Sequence, residues 1–221
     1  VNLLKKTTSL KPVLIHTHFH RRKTGVTRSI ENVLPFFDDA FKTYVYGANI
    51  DGNKITTSKL KSILFSDATV VVHCHRNNEI IRMLWFRFIG AKFRLIATRH
   101  AETVPSGMTK YLLKKADTVI TLIKSMSANL GIINTIIGHG VRVDEFVSNS
   151  EEKLENIAQE NIILNAGRVR KAKGQAVLLE AAKVLKGHKD WALVIVGQVD
   201  KPLFLEELKE IAKKHDIENQ I

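Results

Sequence analysis

The feature that most restricts the fold of this 221-residue sequence is an alternation. Short apolar, β-branched runs occur at 12–19, 41–46, 68–74, 93–98, 118–122 and 134–137. Stretches of helical periodicity at 28–41, 59–64, 77–89, 109–116 and 125–131 separate them. Asn77 or Asn78 is the expected cap of the third of these helices, Gly90 its stop, and Ser125 the cap of the last. Continuous apolar runs are those of strands buried on both faces. Strict alternation of strand and helix with short connections implies a parallel, doubly wound sheet. At 147–159 the chain turns polar and acidic, which reads as a linker. The pattern then restarts: a strand at 161–165, a helix at 174–185, a strand at 191–196 closed by Gly197, and an amphipathic helix at 203–214. Residues 217–221 read as the approach to a further strand. The expected class is α/β, with one complete domain over 1–150 and the start of a second, incomplete one over 151–221.

Composition narrows the function. The apolar fraction is 44%, enough for a real core. No apolar run approaches the ~20 residues of a spanning helix. Residues 1–11 carry three lysines but no apolar stretch with a cleavage site, so no signal peptide is expected. The single cysteine, Cys74, excludes an internal disulfide and a cysteine-based metal site, and it is compatible with a reducing cytoplasm. The net charge of +12 is uneven. Residues 1–150 hold 22 Lys and Arg against 10 Asp and Glu, whereas 151–221 hold 12 of each. All the excess therefore sits in the first domain. Such a half attracts polyanions: nucleic acid, anionic lipid headgroups or phosphorylated glycolipids. A solvated basic face is the plainer alternative.

Five stretches carry a family resemblance. Gly167-Arg168, Lys173-Gly174, Leu178-Leu179-Glu180-Ala181 and Leu193 to Gly197 are similar to the signature opening the second domain of glycosyltransferase family 4. Gly138-His139-Gly140-Val141 with Asp144 and Phe146 resembles that family's junction turn, His139 standing in place of Asn. Ala116-Asp117 and the strand after it resemble the segment before that turn. Arg21-Arg22-Lys23-Thr24-Gly25-Val26-Thr27-Arg28 and His73-Cys74-His75-Arg76-Asn77-Asn78-Glu79 resemble motifs of the lipopolysaccharide core mannosyltransferase subgroup. Here Arg28 replaces a small residue, and His75 stands where Arg is usual. The resemblance covers about 12–200. It implies a GT-B fold, with an acceptor-binding Rossmann-like domain first and a nucleotide-sugar domain second.

The same resemblance implies the chemistry. A hexose, mannose being the expected one, passes with retention from a nucleotide-diphosphate donor such as GDP-mannose to an anionic glycolipid acceptor. No cofactor and no metal are expected. The enzyme would lie at the cytoplasmic face of the inner membrane as a peripheral protein. The leaving diphosphate needs cations and amides aimed at its growing charge. Arg168 brings a planar fork and Lys173 a movable point charge, and Gly174 opens a helix whose N-terminal amides favour anions. Gly25 lies in the loop the family places over the donor phosphates. Arg21, Arg22, Lys23, Thr27 and Arg28 around it, with His75, Arg76, Asn77, Asn78 and Glu79, are the expected acceptor contacts. His100 is expected beside the transferred sugar. The family's acidic motif, which contacts the donor sugar, would lie beyond Ile221.

Three other readings stay open at this point. The chain is also compatible with an inactive fragment of such a transferase. His16-Thr17-His18-Phe19-His20 resembles the start of a metal-dependent hydrolase site, since i and i+2 share a strand face and both rings could reach one ion. A basic nucleic-acid-binding protein fits the charge, although no recognition helix, RNP-type strand or zinc motif accompanies it and the basic residues lie on separate loops.

Overall fold

A computed structural model describes residues 11–143 and 157–221. The leader reading at 1–10, Asp144 and Phe146 of the junction turn and most of the linker lie outside the described residues. Internal contacts divide the chain into two units, Val1–Val147 and Ser148–Ile221.

The first unit is a six-stranded, wholly parallel sheet in the order β2-β1-β3-β4-β5-β6. Its strands are β1 (Val13–His18), β2 (Lys42–Gly47), β3 (Val70–Cys74), β4 (Arg94–Arg99), β5 (Thr118–Thr121) and β6 (Thr135–Ile136). The helices are α1 (Gly25–Val33), α2 (Thr57–Leu64), α3 (Asn77–Phe88), α4 (Gly107–Lys114) and α5 (Lys124–Leu130). All six residues of β1 are buried, including His16 and His18. The chain runs from β1 outward to β2 and returns on the other side to β3. The order thus reverses between β1 and β3, and in open α/β sheets ligands bind at the carboxyl ends of the strands at such a point.

The main core packs Ile15, Val72, Leu95 and Ala97 of the sheet against Leu60 and Leu64 of α2 and Ile80, Met83 and Phe86 of α3. The three α3 residues recur every third position, which keeps them on one helix face. A smaller cluster joins Ile30 of α1 to Val45 and Ile50.

The second unit holds β7 (Asn161–Ala166), α6 (Gln175–Ala182), β8 (Trp191–Val196) and α7 (Pro202–Lys214), with β7 and β8 paired in parallel. Its core gathers Leu179, Trp191, Leu193, Phe204, Leu208 and Ile217. Residues 217–221, expected as the approach to a further strand, contain a 3-10 turn, Glu218–Gln220. Ile217 is fully buried in that core, so its apolar side chain packs from a turn instead of a sheet.

Several helix starts differ from the sequence expectation. α1 begins at Gly25, three residues early, because the Thr27 hydroxyl accepts the free Thr24 N–H at 2.9 Å and caps the turn. Neither Asn77 nor Asn78 caps α3: Arg76 is the N-cap, and the free N–H of His75 goes to Glu79. Ser125 lies inside α5 and donates to Glu102, while Ile123 occupies the cap position.

Gly47 and Gly197 are required by close approach. A Cβ at Gly47 (φ 139°) would stand 1.8 Å from the His18 carbonyl oxygen, and one at Gly197 1.9 Å from that of Gly167. Each strand end is thereby able to run tight against its neighbour's exit loop. Gly107, the first residue of α4, has open space around its missing side chain. Gly47→Ala is therefore expected to cost roughly 1–3 kcal/mol in unfolding free energy, from strain and displaced backbone. Gly107→Ala should be neutral or slightly stabilising; chemical denaturation of both variants measures the contrast.

Candidate functional site

The carboxyl edge of the first sheet carries a row of histidines. Parallel pairing of β1 and β3 sets His16 directly opposite His73. The ring centroids of His16 and His73 are 4.9 Å apart, and those of His73 and His75 are 4.3 Å apart. His16 Nδ1 faces His75 Nε2 at 3.5 Å, and His75 Nδ1 meets His100 Nε2 at 3.0 Å. His100 then stacks on His139 at 5.7 Å, and His139 Nδ1 is 2.7 Å from the Ser29 hydroxyl. Residues from β1, β3, the loop after β4 and the turn after β6 thus form one continuous row.

The four buried or part-buried members, His16, His73, His75 and His100, are neutral at physiological pH. Burial lowers the pKa of His16 to about 4. Burial, then the charges of His139 and Arg76, lower that of His100 to about 4. His73 and His75 are held well below the ordinary histidine value, first by burial and then by neighbouring rings. His18 does not join His16. Its Nδ1 bonds the Ala48 carbonyl at 2.7 Å and its Nε2 the Thr27 hydroxyl at 2.8 Å. The i, i+2 pair expected to share one ion is therefore split between two partners.

Glu79 and Thr27 are corrected from acceptor contacts to internal supports. Glu79 is fully buried and its carboxylate accepts three bonds: from the His75 N–H at 2.7 Å, the Thr17 hydroxyl at 3.0 Å and the Phe19 N–H at 3.3 Å. Burial raises its pKa, while these donors and the charge of Arg76 pull it back. Thr27 is buried between Thr24 and His18. Neither side chain is available to a ligand.

The other residues of the two motifs do face outward or into a cleft. Arg21, Arg22, Lys23 and Arg28 are exposed around the β1–α1 loop. Lys23 is tied to Asp51 at 2.5 Å and Glu31 at 3.3 Å, and Arg28 to Glu31 at 3.4 Å. A cleft of about 250 Å³ is lined by Val26, His75, Arg76, Asn77, Thr98 and His100 among others. Arg76 reaches across it to the Thr24 hydroxyl at 3.4 Å, and its buried Nε has no partner. Asn77 donates to Thr109 and Asn78 is exposed. Gly25 is the first helical residue rather than part of a loop, with an ordinary φ and nothing within 4 Å of where a Cβ would sit. Its lack of a side chain leaves the amino end of α1 open.

In the second unit, Arg168 follows β7 and pairs with Asp200 at 3.3 Å. Lys173 ends a short 3-10 turn and is exposed. Gly174, at φ 75°, supplies the left-handed step that caps α6. Gln175 is fully buried and ties Arg168 in place, its amide donating to the Arg168 carbonyl at 3.0 Å. Arg168, Lys173 and the amino end of α6 therefore lie on the one connection that leaves the carboxyl end of β7.

Residues 146–221, which hold this second arrangement, match the family model of glycosyl transferases group 1. The chain is 25% identical to the lipopolysaccharide core biosynthesis mannosyltransferase LpsB of Rhizobium meliloti, over 94% of the chain and 64% of the relative. It is 27% identical to the mannosyltransferase LpcC of Rhizobium leguminosarum bv. viciae, over 89% of the chain and 60% of the relative. The chain thus spans somewhat less than two thirds of these curated relatives. Among solved structures, Anabaena Alr3699/HepE, in complex with UDP and glucose, superposes with a TM-score of 0.72 at 13% identity, covering 95% of this chain and 68% of that one. A glycosyltransferase of Rickettsia africae gives 0.71 at 21% identity, covering 96% and 67%. The fold is that of the GT-B glycosyltransferases.

From the sequence, His75 and His100 belong to the cleft, and His73 with His75 forms a second His-x-His pair beside that of His16 and His18; the contact of His16 with His73 and the addition of His139 come from the structure. The available signal was the repetition of His-x-His at the ends of two strands, 16–18 and 73–75, which a parallel register brings together. Neutral packing of this row has a pH consequence. His16 and His100 bind protons more weakly folded than unfolded, so their contribution is fully present above about pH 6.5 and is lost as pH falls toward 4. For buried His16 the full difference is on the order of 3 kcal/mol. Denaturant midpoints taken from pH 7 to pH 4.5 should fall steadily; a flat profile would contradict a neutral row.

Proposed function

We propose that this chain forms the acceptor-binding domain and the start of the donor-binding domain of a retaining glycosyltransferase. The transferred group is a hexose, mannose from GDP-mannose, and the acceptor is a lipopolysaccharide core or a similar anionic glycolipid. The observation that carries the reading is that Arg168, Lys173 and the Gly174-capped start of α6 all lie on the one connection after β7, within a segment that matches the group 1 family model. Cations and oriented amides are what a departing nucleoside diphosphate requires. Asp200 holds the Arg168 guanidinium in place until phosphate oxygens take over as its partners. The mannose assignment draws on the names of the two curated relatives.

On the acceptor side, His100 works as a neutral hydrogen-bonding group. Its Nε2 is engaged by His75, which leaves Nδ1 for a sugar hydroxyl. Arg21, Arg22 and Arg28 offer charge to acceptor phosphates and carboxylates, and Arg76 adds a guanidinium to the lining of the cleft. In the full-length protein, Arg168→Ala and Lys173→Ala should each lower kcat/KM for the donor by about 100-fold or more, the scale of losing one charge-stabilising group. Near-normal turnover in both would remove the diphosphate role. Calorimetry with GDP, GDP-mannose, UDP and UDP-glucose identifies the donor.

Membrane association is part of the same proposal, and the outer face of α3 supports it. Ile81, Trp85, Phe88 and Ile89 recur at i, i+4, i+7 and i+8 and are exposed, Phe88 by 86% and Trp85 by 55%. A helix whose inner face already fills the core has no folding reason for a second apolar stripe. Exposed Lys92 and Arg94 follow the helix, within a unit whose sequence holds the whole +12 excess. Apolar anchors beside cations suit an anionic lipid surface. Vesicles containing anionic lipid should sediment the protein and blue-shift tryptophan emission. Trp85→Ser with Phe88→Ser should weaken that binding at least ~10-fold; unchanged binding would exclude this face. No helix among the described residues is long and apolar enough to cross a membrane.

A further inference from the structure

We propose that His16, His73 and His75 form a binding site for a single transition-metal cation of the zinc class. The inference is independent of the transfer reading and assigns the metal no part in sugar transfer. One ring nitrogen from each residue lies within 4.8 Å of the other two. Two imidazole nitrogens on one tetrahedral zinc, each about 2.05 Å from the metal, stand about 3.3 Å apart. His16 Nδ1 and His75 Nε2 are already 3.5 Å apart, and the His73 nitrogen, within 4.8 Å of the others, has to close by at most about 1.5 Å.

The surroundings are those of a ligand set. Metal-binding histidines hold their second nitrogen against an outer partner, which fixes the ring. His73 Nε2 meets the Thr98 hydroxyl at 2.7 Å, and His75 Nδ1 meets His100 Nε2 at 3.0 Å. This leaves His73 Nδ1 and His75 Nε2 for a ligand. His16 is the poorly satisfied member. It is 1% exposed, its Nε2 has no partner, and its Nδ1 has only the 3.5 Å contact. A buried polar group left this way costs free energy, and a coordinate bond removes the deficit at one of the two nitrogens.

The site also has an entry and a tolerable field. His75 borders the 250 Å³ cleft, so a cation reaches the cluster without unfolding the sheet. The nearby positive charge of Arg76 acts on His18 and His100. The buried carboxylate of Glu79 sits one hydrogen bond from the His75 backbone. Three imidazoles select zinc, cobalt, nickel or copper over magnesium and calcium, which prefer oxygen. With three protein ligands the fourth position stays open. Bound there, the cation would pin β1 to β3 at the point where the strand order reverses.

The test uses tag-free full-length protein stripped of metal. Zn2+ titrated by calorimetry should bind at about one equivalent, Co2+ should develop visible d–d absorption, and Zn2+ should raise Tm by several degrees in a chelator-reversible way. His73→Gln and His75→Gln should each weaken Zn2+ binding at least ~10-fold, with excess Mg2+ not competing. His188→Gln, on the second unit, should leave binding unchanged. Absence of binding overturns the proposal, as does binding that both His→Gln changes leave intact. Should those variants fail to fold, histidine ring-nitrogen NMR of the unaltered protein decides. Zn2+-induced shifts centred on His16, His73 and His75 support the site, and shifts elsewhere overturn it.

Discussion

The buried carboxylate of Glu79 holds the carboxyl edge of the first sheet together. It lies in the first turn of α3, yet it accepts from the Thr17 side chain of β1, from the backbone of Phe19 just beyond β1, and from the backbone of His75 after β3. The Thr17 hydroxyl also reaches the His73 carbonyl at 3.3 Å and Cys74 Sγ at 3.4 Å, whereas a backbone N–H left buried without an acceptor costs roughly 1–3 kcal/mol. One side chain thereby orients the exits of the two strands that flank the reversal of strand order. The β1–α1 loop, Arg76 and the ring of His75 take their positions from it.

Around that anchor the molecule separates charge from burial. The arginines of the β1–α1 loop lie in solvent, while the histidines behind them are packed and neutral. A basic surface of this kind attracts anions over distance, and the buried neutral histidines offer short-range hydrogen bonding without a competing charge. Arg76 stands between the two regimes, spanning the cleft from the start of α3 to Thr24.

α3 and the second unit show how one element serves packing and recognition together. The inner face of α3 contributes Ile80, Met83 and Phe86 to the core, and its outer face shows Trp85 and Phe88 to solvent. In the second unit, Gln175 fastens the Arg168 backbone and Asp200 its guanidinium, so the cation is preorganised at the strand end. Gly197 lets the end of β8 pass close to Gly167, which keeps that strand end compact.

Much of this was legible in the sequence because it is local. Apolar runs alternating with helical periodicity determined the parallel α/β class. The Gly167–Gly174 motif marked a glycine-bounded loop that carries Arg168 and Lys173 into the start of a helix, since these residues are contiguous in the chain. What depended on register and burial was not legible. His16 meets His73 only because β1 and β3 pair in parallel at that offset, bringing together residues far apart in the sequence. Glu79 and Thr27 read as exposed recognition residues because their motifs are polar, and tertiary packing turned both inward. The caps of α1, α3 and α5 went to Thr24, Arg76 and Ile123 through contacts that propensity does not encode. The sequence by itself determined which elements form and where charge accumulates. Only the tertiary structure decided which side chains meet, because meeting requires strands distant in sequence to align at one sheet edge.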